Sequence, residues 1–238
     1  MTRYDRQVII PGFGVEGQAK LKKASVAIAG IGGLGSVIAT YLTVAGVGHI
    51  RLIDSDKVEI TNLNRQILHT EKDISRNKVD SAREKLSALN SEIEIDTVCE
   101  VIDDKNVFTL FNDCDAIIDA LDNIPTRYVI NKAALHRLIP LFHGAVSGFE
   151  GRATTIIPGK TPCLACLYRK IPPKTVTPVI GVAPAVIGSI QATEVIKYIT
   201  GLGDLLLNRM LLYDGLGLKF TEISVRRHSE CPECRNMV

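Results

Sequence analysis

The sequence predicts an α/β protein with a doubly wound, mostly parallel sheet of the Rossmann-like type. Residues 25–29 form a nearly unbroken apolar strand, as a sheet covered on both faces requires. The glycine-rich turn 30–35 follows at once, and a helical pattern continues to about Ala45. Strand and helix patterns then alternate to about residue 146, which is typical of parallel strands joined by crossover helices.

The remaining elements complete this architecture with N-terminal helices and a C-terminal antiparallel section. Helices are predicted within 3–23, interrupted at 11–14, and at 77–89, 107–111, 125–138 and 182–200. Further strands are predicted at 50–53, 93–98, 116–119, 141–146, 152–157, 210–213 and 217–225, the last with one solvent-facing side. We predict a single domain over 1–238. Residues 1–150 form its parallel α/β part, and residues 151–238 hold a crossover loop, two cysteine pairs and the terminal strands.

Composition excludes several classes of function. The chain of 238 residues is 46% hydrophobic and 23% charged, and its formal net charge is +2. A charge so close to zero gives no electrostatic basis for binding nucleic acid or a membrane surface. The sequence has no run of 18 apolar residues and does not begin with a secretory apolar segment. We therefore expect a cytoplasmic protein with neither nucleic acid nor membrane as a partner.

The glycine-rich turn predicts a nucleotide site. Gly30, Gly32, Gly33 and Gly35 allow a tight turn and a close approach of the backbone to a phosphate at a helix N-terminus. Asp54 ends the next strand, where it is placed to accept hydrogen bonds from ribose hydroxyls. Judged alone, this motif equally suits an NAD-dependent oxidoreductase or a coincidence of sequence.

A group of polar and cationic residues follows the acid. Asn62, Arg65 and Gln66 would share one face if the segment were helical, and Lys78 opens the next predicted helix. Several cations near a glycine-rich turn suit phosphoryl or nucleotidyl transfer better than hydride transfer. Taken singly, each cation is as readily explained as a solvated surface residue.

The fourth strand ends in a pair of carboxylates. Asp119 and Asp122 are expected to face the ligand crevice, which lies at the carboxyl ends of the strands in an open α/β sheet. Asp122, followed by Asn123, is the better candidate to bind the Mg²⁺ that accompanies a nucleoside triphosphate. The alternative is that Asp122 caps the following helix, and the two roles are compatible.

Four of the six cysteines form two C-x-x-C pairs. They are Cys163 with Cys166 and Cys231 with Cys234. Four thiolates in two such pairs predict a closed tetrahedral zinc site with a structural role. Redox-active or simply reduced thiols are the alternatives. The remaining two, Cys99 and Cys114, stand in or beside predicted strands and are expected to be buried and inert.

Together these motifs identify a family. From about Arg3 to Cys234 the sequence resembles the ThiF/MoeB/HesA family, relatives of the ubiquitin-activating enzymes, and its pattern is nearest to the MoeB type. The resemblance rests on Arg3-Tyr4-Asp5-Arg6-Gln7, the turn 30–35, Asp54-Ser55-Asp56, 62–66, Lys78, 119–123 and both cysteine pairs.

The resemblance implies an ATP-dependent adenylyltransferase that converts a carboxylate to an acyl-adenylate and releases pyrophosphate. Arg65 and Lys78 would grip the triphosphate, Asp54 the ribose and Asp122 the Mg²⁺. Arg6 would reach into the neighbouring subunit's site, which implies a homodimer. The implied substrate is the C-terminal glycine of a ubiquitin-like sulfur-carrier protein. A small-molecule carboxylate in cofactor biosynthesis is the alternative, and an oxidoreductase or a catalytically silent subunit is disfavoured.

The sequence departs from the family pattern in one respect. Relatives that take the carrier onto themselves place a cysteine in the crossover loop, whereas residues 167–181 here contain none. We therefore expect adenylate formation without an enzyme-linked thioester at that place. The acyl group would be released to an external nucleophile such as a sulfur donor.

Overall fold

A computed structural model describes residues 2–168 and 177–237 of the chain. Its centre is one eight-stranded sheet in the order β3-β2-β1-β4-β5-β6-β7-β8. The strands are β1 Ser25–Ala29, β2 His49–Ile53, β3 Glu94–Val98, β4 Ala116–Asp119, β5 Leu141–Ser147, β6 Glu150–Ile156, β7 Arg209–Asp214 and β8 Lys219–Ser224. The α-helices are α1 Asp5–Val8, α2 Gly14–Lys23, α3 Gly33–Ala45, α4 Lys78–Leu89, α5 Val107–Leu110, α6 Ile124–Arg137, α7 Leu164–Leu167 and α8 Val182–Thr200.

The parallel part of the sheet creates the crevice. Strands β3, β2, β1, β4 and β5 are parallel neighbours in that order. The connections leave β1 toward β2 on one side and reach β4 on the other. The loops that follow β1 and β4 therefore diverge, and a ligand crevice opens between them.

The antiparallel part continues the same sheet. Strand β6 pairs antiparallel with β5, β7 with β6, and β8 with β7. The predicted α/β class with an appended antiparallel section is therefore confirmed. The division into residues 1–150 and 151–238 stays a prediction.

The last strand differs from the prediction. Strand β8 was expected to bury one face, but all six of its residues are exposed. It is an edge strand that pairs only with β7, and no helix among the described residues packs over it. The alternating pattern of 217–225 indicated a strand correctly, and the absence of a covering layer removed the expected burial.

Two apolar layers enclose the sheet. On one face, buried residues of α2, α3, α4 and α8 pack against alternate residues of β1, β2 and β4. On the other face, residues of α5, α6 and α7 pack together with five buried cysteines. Both faces of the parallel strands are covered, which accounts for the continuous apolar runs in their sequences.

The N-terminal helix α1 lies at the far end of α3. Gln7 Nε2 donates to the Ala45 carbonyl over 3.1 Å, and the Tyr4 ring abuts Gly46, the residue that caps α3. Helix α3 begins in the glycine turn and has 13 residues, so this end lies about 18 Å from the crevice.

Within 2–168 and 177–237, none of the helices is at once long enough and apolar enough to span a bilayer.

Candidate active site

The glycine turn between β1 and α3 is shaped by backbone crowding. Gly30 has a φ of 94°, a left-handed conformation that favours glycine. A Cβ at Gly35 would lie 2.0 Å from the Gly30 carbonyl oxygen, a distance that the backbone would have to change to relieve. Only glycine at position 35 lets the first turn of α3 close on the strand end, so that its free N–H groups face the crevice.

Asp54 holds this turn in place from the end of β2. Its Oδ2 accepts the Ile31 N–H over 2.7 Å, and its Oδ1 accepts the Asp56 N–H over 2.8 Å. Burial raises the pKa of Asp54, while the charge of nearby Lys78 acts in the opposite direction. Each carboxylate oxygen keeps a further lone pair for a hydroxyl donor.

The segment with Asn62, Arg65 and Gln66 is not the continuous helix considered above. A 3-10 helix covers Ile60–Asn62 and then gives way to turns, in which the N–H groups of Arg65 and Gln66 both point to the Asn62 carbonyl. Asn62 and Gln66 are buried, whereas Arg65 is half-buried. The Asn62 side chain closes a capping box with Glu59, which fixes the segment locally. The two main-chain hydrogen bonds to the Asn62 carbonyl keep the three residues within one turn of the chain.

Arg65 and Gln66 nevertheless lie against the glycine turn. The Arg65 Cγ is 3.6 Å from the position that a Cβ at Gly33 would take, and Gln66 Nε2 is 3.6 Å from the corresponding position at Gly32. The buried Gln66 Oε1 has no hydrogen-bond partner among the described residues. Arg65 donates to the Thr61 carbonyl and to the Asn64 side chain, both of which a phosphate oxygen can replace.

Lys78 brings a second cation to the same edge. Its side chain is 7% exposed, and Nζ donates to Asp56 Oδ2 over 2.9 Å. The main chain is fixed as well, because the Lys78 N–H donates to the Asp56 carbonyl. Sequence reasoning gave Asp56 no role of its own, although it is the third residue of the motif Asp54-Ser55-Asp56. It neutralises the buried ammonium group.

At the end of β4, helix capping and the candidate Mg²⁺-binding carboxylate belong to different residues, although both roles were considered for Asp122 in the sequence analysis. The cap of α6 is Asn123, whose Oδ1 accepts the Thr126 N–H over 3.0 Å. The suggestion that Asp122 caps this helix is therefore wrong. Asp122 is exposed, and its hydrogen bond among the described residues is a long one of 3.5 Å from Asn123 Nδ2. Its carboxylate keeps nearly all of its acceptor capacity.

Asp119 does not face the crevice, in contrast to the expectation. Its side chain is fully buried and contacts His143 Nδ1 over 2.6 Å. Strand alternation explains the difference, because Asp119 is the last residue of β4 and points into the layer of α6, whereas Asp122 follows the turn. His143 was missed in the sequence analysis, because it lies within an apolar strand without any motif of its own. Only the pairing of β4 with β5 brings it next to Asp119.

A second buried histidine lies beneath the glycine turn and was also missed. His69 Nε2 contacts the Ile31 carbonyl at 3.3 Å, and Nδ1 contacts Ser81 Oγ at 2.9 Å. Burial lowers the pKa of His69, so the ring is neutral and suited to this hydrogen bonding. Through His69, the glycine turn is thus hydrogen-bonded to Ser81 of α4.

The four predicted ligand cysteines meet in one buried cluster. All of their Sγ atoms lie within 4.8 Å of one another. Cys163 Sγ is 3.6 Å from Cys231 Sγ, and Cys166 Sγ is 3.5 Å from Cys234 Sγ. Sulfurs around a tetrahedral zinc stand about 3.8 Å apart, whereas a disulfide requires about 2.0 Å. Burial raises the pKa of Cys163 strongly and that of Cys234 to about 11. The predicted cluster is confirmed, and zinc as its metal stays a prediction.

Comparison with known proteins agrees with this geometry. The profile of the ThiF family matches residues 4–233. The chain belongs to the ThiF family.

Named relatives within the ThiF family define the class of enzyme. The chain is 39% identical to a sulfur carrier protein adenylyltransferase of Thermus thermophilus, covering 98% of this chain and 90% of the relative. It is 39% identical to the SAMP-activating enzyme E1 of Haloferax volcanii, covering 98% and 88%. It is 43% identical to the adenylyltransferase and sulfurtransferase MOCS3 of Culex quinquefasciatus, of which it spans only 55%. The predicted family and the adenylyltransferase class are confirmed, and the oxidoreductase alternative finds no support.

Solved structures share the whole ThiF fold. The E. coli MccB structure with MccA-N7isoASN superimposes with a TM-score of 0.90 at 25% identity, covering 99% of this chain and 74% of that one. The structure of E. coli MccB with ATP gives a TM-score of 0.89 at 26% identity, covering 99% and 75%.

The expectations for the crossover loop and for the two cysteines outside the cluster have different outcomes. The centre of the cysteine-free loop, 172–176, lies outside the described residues. Of the two cysteines expected to be buried, Cys114 is buried but Cys99 is exposed. Cys99 directly follows β3, an edge strand of the sheet, so no neighbouring strand covers it.

Arg6 lies far from the crevice of its own chain. It is an exposed residue of α1, at the opposite end of α3 from the glycine turn. Exposed apolar side chains surround this region, namely Ile9, Ile10, Tyr41 and Val44.

Proposed function

We propose that this chain uses ATP to adenylate the C-terminal carboxylate of a ubiquitin-like sulfur-carrier protein. The observation that carries the proposal is the arrangement across the crevice. The phosphate turn with two cations, Arg65 and Lys78, stands on the β1 side, and the unpaired carboxylate of Asp122 stands on the β4 side. The names of the Thermus and Haloferax relatives and the MccB structure with ATP support the choice of carrier and nucleotide.

The proposed reaction is an in-line displacement at the α-phosphorus of ATP. An oxygen of the substrate carboxylate forms a bond to that phosphorus, and the bond to the oxygen that bridges to the β-phosphorus breaks. Pyrophosphate leaves with the electron pair, and no enzyme group becomes covalently attached. The work of the protein is positioning and charge stabilisation.

Each crevice residue has a proposed role in this reaction. Asp54 accepts hydrogen bonds from the ribose, and the N–H groups of the turn Gly30, Gly32, Gly33 and Gly35 face the phosphates. Arg65 and Lys78 neutralise the triphosphate. The amide of Gln66, whose Oε1 has no hydrogen-bond partner among the described residues, completes the polar lining. Asn62 and Asn123 contribute by fixing the segments on which Gln66 and Asp122 stand, since both side chains are engaged in local caps.

Asp122 is the proposed protein ligand of Mg²⁺. An exposed carboxylate with free lone pairs at the strand end fits the preference of Mg²⁺ for one or two carboxylates plus phosphate oxygens. When bound, the ion supplies charge neutralisation at the phosphates. Asp122 itself holds a fixed negative charge at the edge of the crevice.

Zinc is the proposed occupant of the cysteine cluster. The thiols come from two pairs, are all buried and have the spacing of a tetrahedral site. All four positions are taken by protein sulfur, so the role is structural. The site would join the end of the chain to the segment after β6.

The proposed working unit is a homodimer in which Arg6 completes the partner's site. The distance of α1 from the crevice of its own subunit excludes a direct role there. A groove of about 430 Å³ between α1, α3 and α8 is lined by Tyr41, Val44, Ala192 and Ile196. Apolar side chains of this kind are suited to burial against a second copy.

Exchange between ATP and labelled pyrophosphate tests the proposal. Exchange should depend on a ubiquitin-like carrier that ends in glycine, and should vanish with the same carrier lacking its final residue. Exchange driven only by small carboxylates would favour the cofactor-biosynthesis alternative. Exchange driven by neither would refute adenylation, while trapping of the product by hydroxylamine would identify the acyl-adenylate.

A further inference from the structure

A chain of buried polar groups lies directly behind the Asp122 turn. His143 and Asp119 face each other on neighbouring strands, and both side chains are 0% exposed. His143 Nδ1 lies 2.6 Å from Asp119 Oδ2, and His143 Nε2 lies 2.7 Å from the Tyr168 hydroxyl. The three side chains thus form one continuous hydrogen-bonded chain from the segment after α7 to the end of β4.

Protonation of this chain follows from its surroundings. Burial lowers the pKa of His143, against the pull of Asp119 and together with the charges of Arg127 and Arg152. We therefore assign a neutral imidazole, in which Nδ1–H donates to Asp119 and Nε2 accepts from Tyr168. Arg127 Nη1, 3.5 Å from Asp119 Oδ2, balances the buried carboxylate charge.

Stability alone does not account for this arrangement. Burying a carboxylate and a guanidinium costs several kcal/mol of desolvation each, and an apolar replacement of similar volume is often as stable. The surrounding layer is apolar, with Ile117, Ile130, Leu141 and Ile156 among its members. A polar chain at this place therefore points to a role in binding polar main-chain groups, which an apolar core could not bind.

What the chain holds is the residue before Asp122. The Leu121 N–H donates to Asp119 Oδ1 over 3.1 Å, and the Leu121 carbonyl accepts from Arg127 Nη2. Both main-chain polar groups of Leu121 thus end on the buried network. Asp122 has only the long contact with Asn123 among the described residues, so its direction is set by this backbone and not by its own hydrogen bonds.

We propose that His143 and Tyr168 are positioning residues, which orient Asp119 and thereby fix the turn that carries the metal-binding carboxylate of Asp122. The inference rests on the proposed function, because it assigns Mg²⁺ to Asp122. Neither residue touches the substrate. Their effect passes through Asp119 and Leu121 to the place where the carboxylate stands.

The experiment measures how pyrophosphate exchange depends on the Mg²⁺ concentration. His143→Leu removes both hydrogen bonds, and Tyr168→Phe removes one while keeping the ring. His143→Asn keeps a donor toward Asp119. We expect His143→Leu to raise the half-saturating Mg²⁺ concentration roughly ten-fold and to lower kcat by a similar factor, as loss of an outer partner of a metal ligand does. Tyr168→Phe and His143→Asn should shift it by only about two- to three-fold, because each keeps one of the two hydrogen bonds and loses the modest net contribution of the other.

Two controls separate positioning from general damage. Thr155→Val breaks another buried hydrogen bond, from Thr155 Oγ1 to Glu194 Oε2 over 2.6 Å, which has no link to the Asp122 turn. It should lower the melting temperature without changing the Mg²⁺ requirement. Binding of ATP in the presence of a chelator should be the same in wild type and His143→Leu, because the phosphate turn stands on the other side of the crevice.

The outcomes distinguish this inference from the proposed function. Absence of carrier-dependent exchange in the wild type would count against the function itself. Normal wild-type exchange, together with a His143→Leu protein of unchanged Mg²⁺ requirement and kcat, would overturn the positioning role. A shift of equal size in Thr155→Val would overturn it as well, because any buried hydrogen bond would then have the same effect.

Discussion

The nucleotide crevice and the cysteine cluster differ in the exposure of their polar side chains and in the number of partners that these side chains have. In the crevice, Asp122 is exposed and has only one long hydrogen bond within the described part of the chain, where Gln66 Oε1 also has no partner. In the cluster, four thiols from positions 68 residues apart are buried within reach of one another. The difference agrees with the roles proposed for the two sites, since a reaction needs groups with spare hydrogen-bonding or coordinating capacity, whereas a structural metal site uses all of its ligands.

The largest effect that this comparison predicts is on chemistry at the crevice. Asp122→Ala should lower carrier-dependent pyrophosphate exchange by about 10²- to 10³-fold, because an electrostatic element at the reacting phosphates is lost. The melting temperature should stay near that of the wild type, since Asp122 makes little contact with the rest of the protein. Asp104→Ala, which removes another exposed aspartate paired with Lys132, is the matched control and should retain full exchange.

The next largest effect tests the proposed homodimer, in which Arg6 completes the site of the partner. Arg6→Ala should lose activity although the residue lies far from its own crevice. Mixing it with Asp122→Ala should restore about a quarter of wild-type activity, because half of the re-formed dimers are hybrids with one complete site each. The two variants would be mixed without denaturant, and the recovery would be measured by pyrophosphate exchange. Proven subunit exchange without recovery would remove Arg6 from the partner's site.

At the cluster the predicted effect is on stability. Cys231→Ala should release one zinc per chain, measured by elemental analysis, and should lower the melting temperature by roughly 10 °C. Exchange at low temperature should fall much less than in Asp122→Ala, because all four ligand positions belong to sulfur. Cys114→Ala, a change of another buried thiol, is the control and should keep its zinc. An unchanged metal content in Cys231→Ala would contradict the assignment.

The smallest effects are expected at the two cysteines outside the cluster. Cys99→Ala and Cys114→Ala should leave adenylate formation nearly unchanged, and only the buried Cys114 should affect stability. Non-reducing gels should show no thioester between enzyme and carrier. A thioester that maps to the exposed Cys99 would mean that this enzyme carries a nucleophile outside the crossover loop.

The sequence predicted those parts of the molecule that depend on short stretches of chain. Strands β1 and β4, the glycine turn and helix α8 follow from apolar runs and helix boundaries that need no knowledge of distant partners. The cysteine pairs were equally local, although their meeting across the fold was not. Each of these motifs states its own chemistry in a few residues.

The errors arose where a distant or missing neighbour decides the outcome. Asp119 was assigned to the crevice, but His143 holds it in the core, and that pairing exists only in the β4–β5 register. Strand β8 was expected to bury one side, which requires a covering layer that alternation within the strand cannot reveal. Asp122 was considered as the cap of α6, but Asn123 is the cap. A shift of one residue in the start of the helix decides which side chain reaches the first turn.

The separation of the two cysteine pairs also orders events during synthesis. Chains emerge at about 5 to 20 residues per second, so Cys163 and Cys166 wait roughly 3 to 14 s before their partners, 68 residues later, are available. During that interval the first pair lacks the two thiols that would complete a four-sulfur site, while the residues of the parallel strands are already synthesised. If zinc is the occupant, the yield of finished enzyme then depends on the redox state and metal supply around the growing chain.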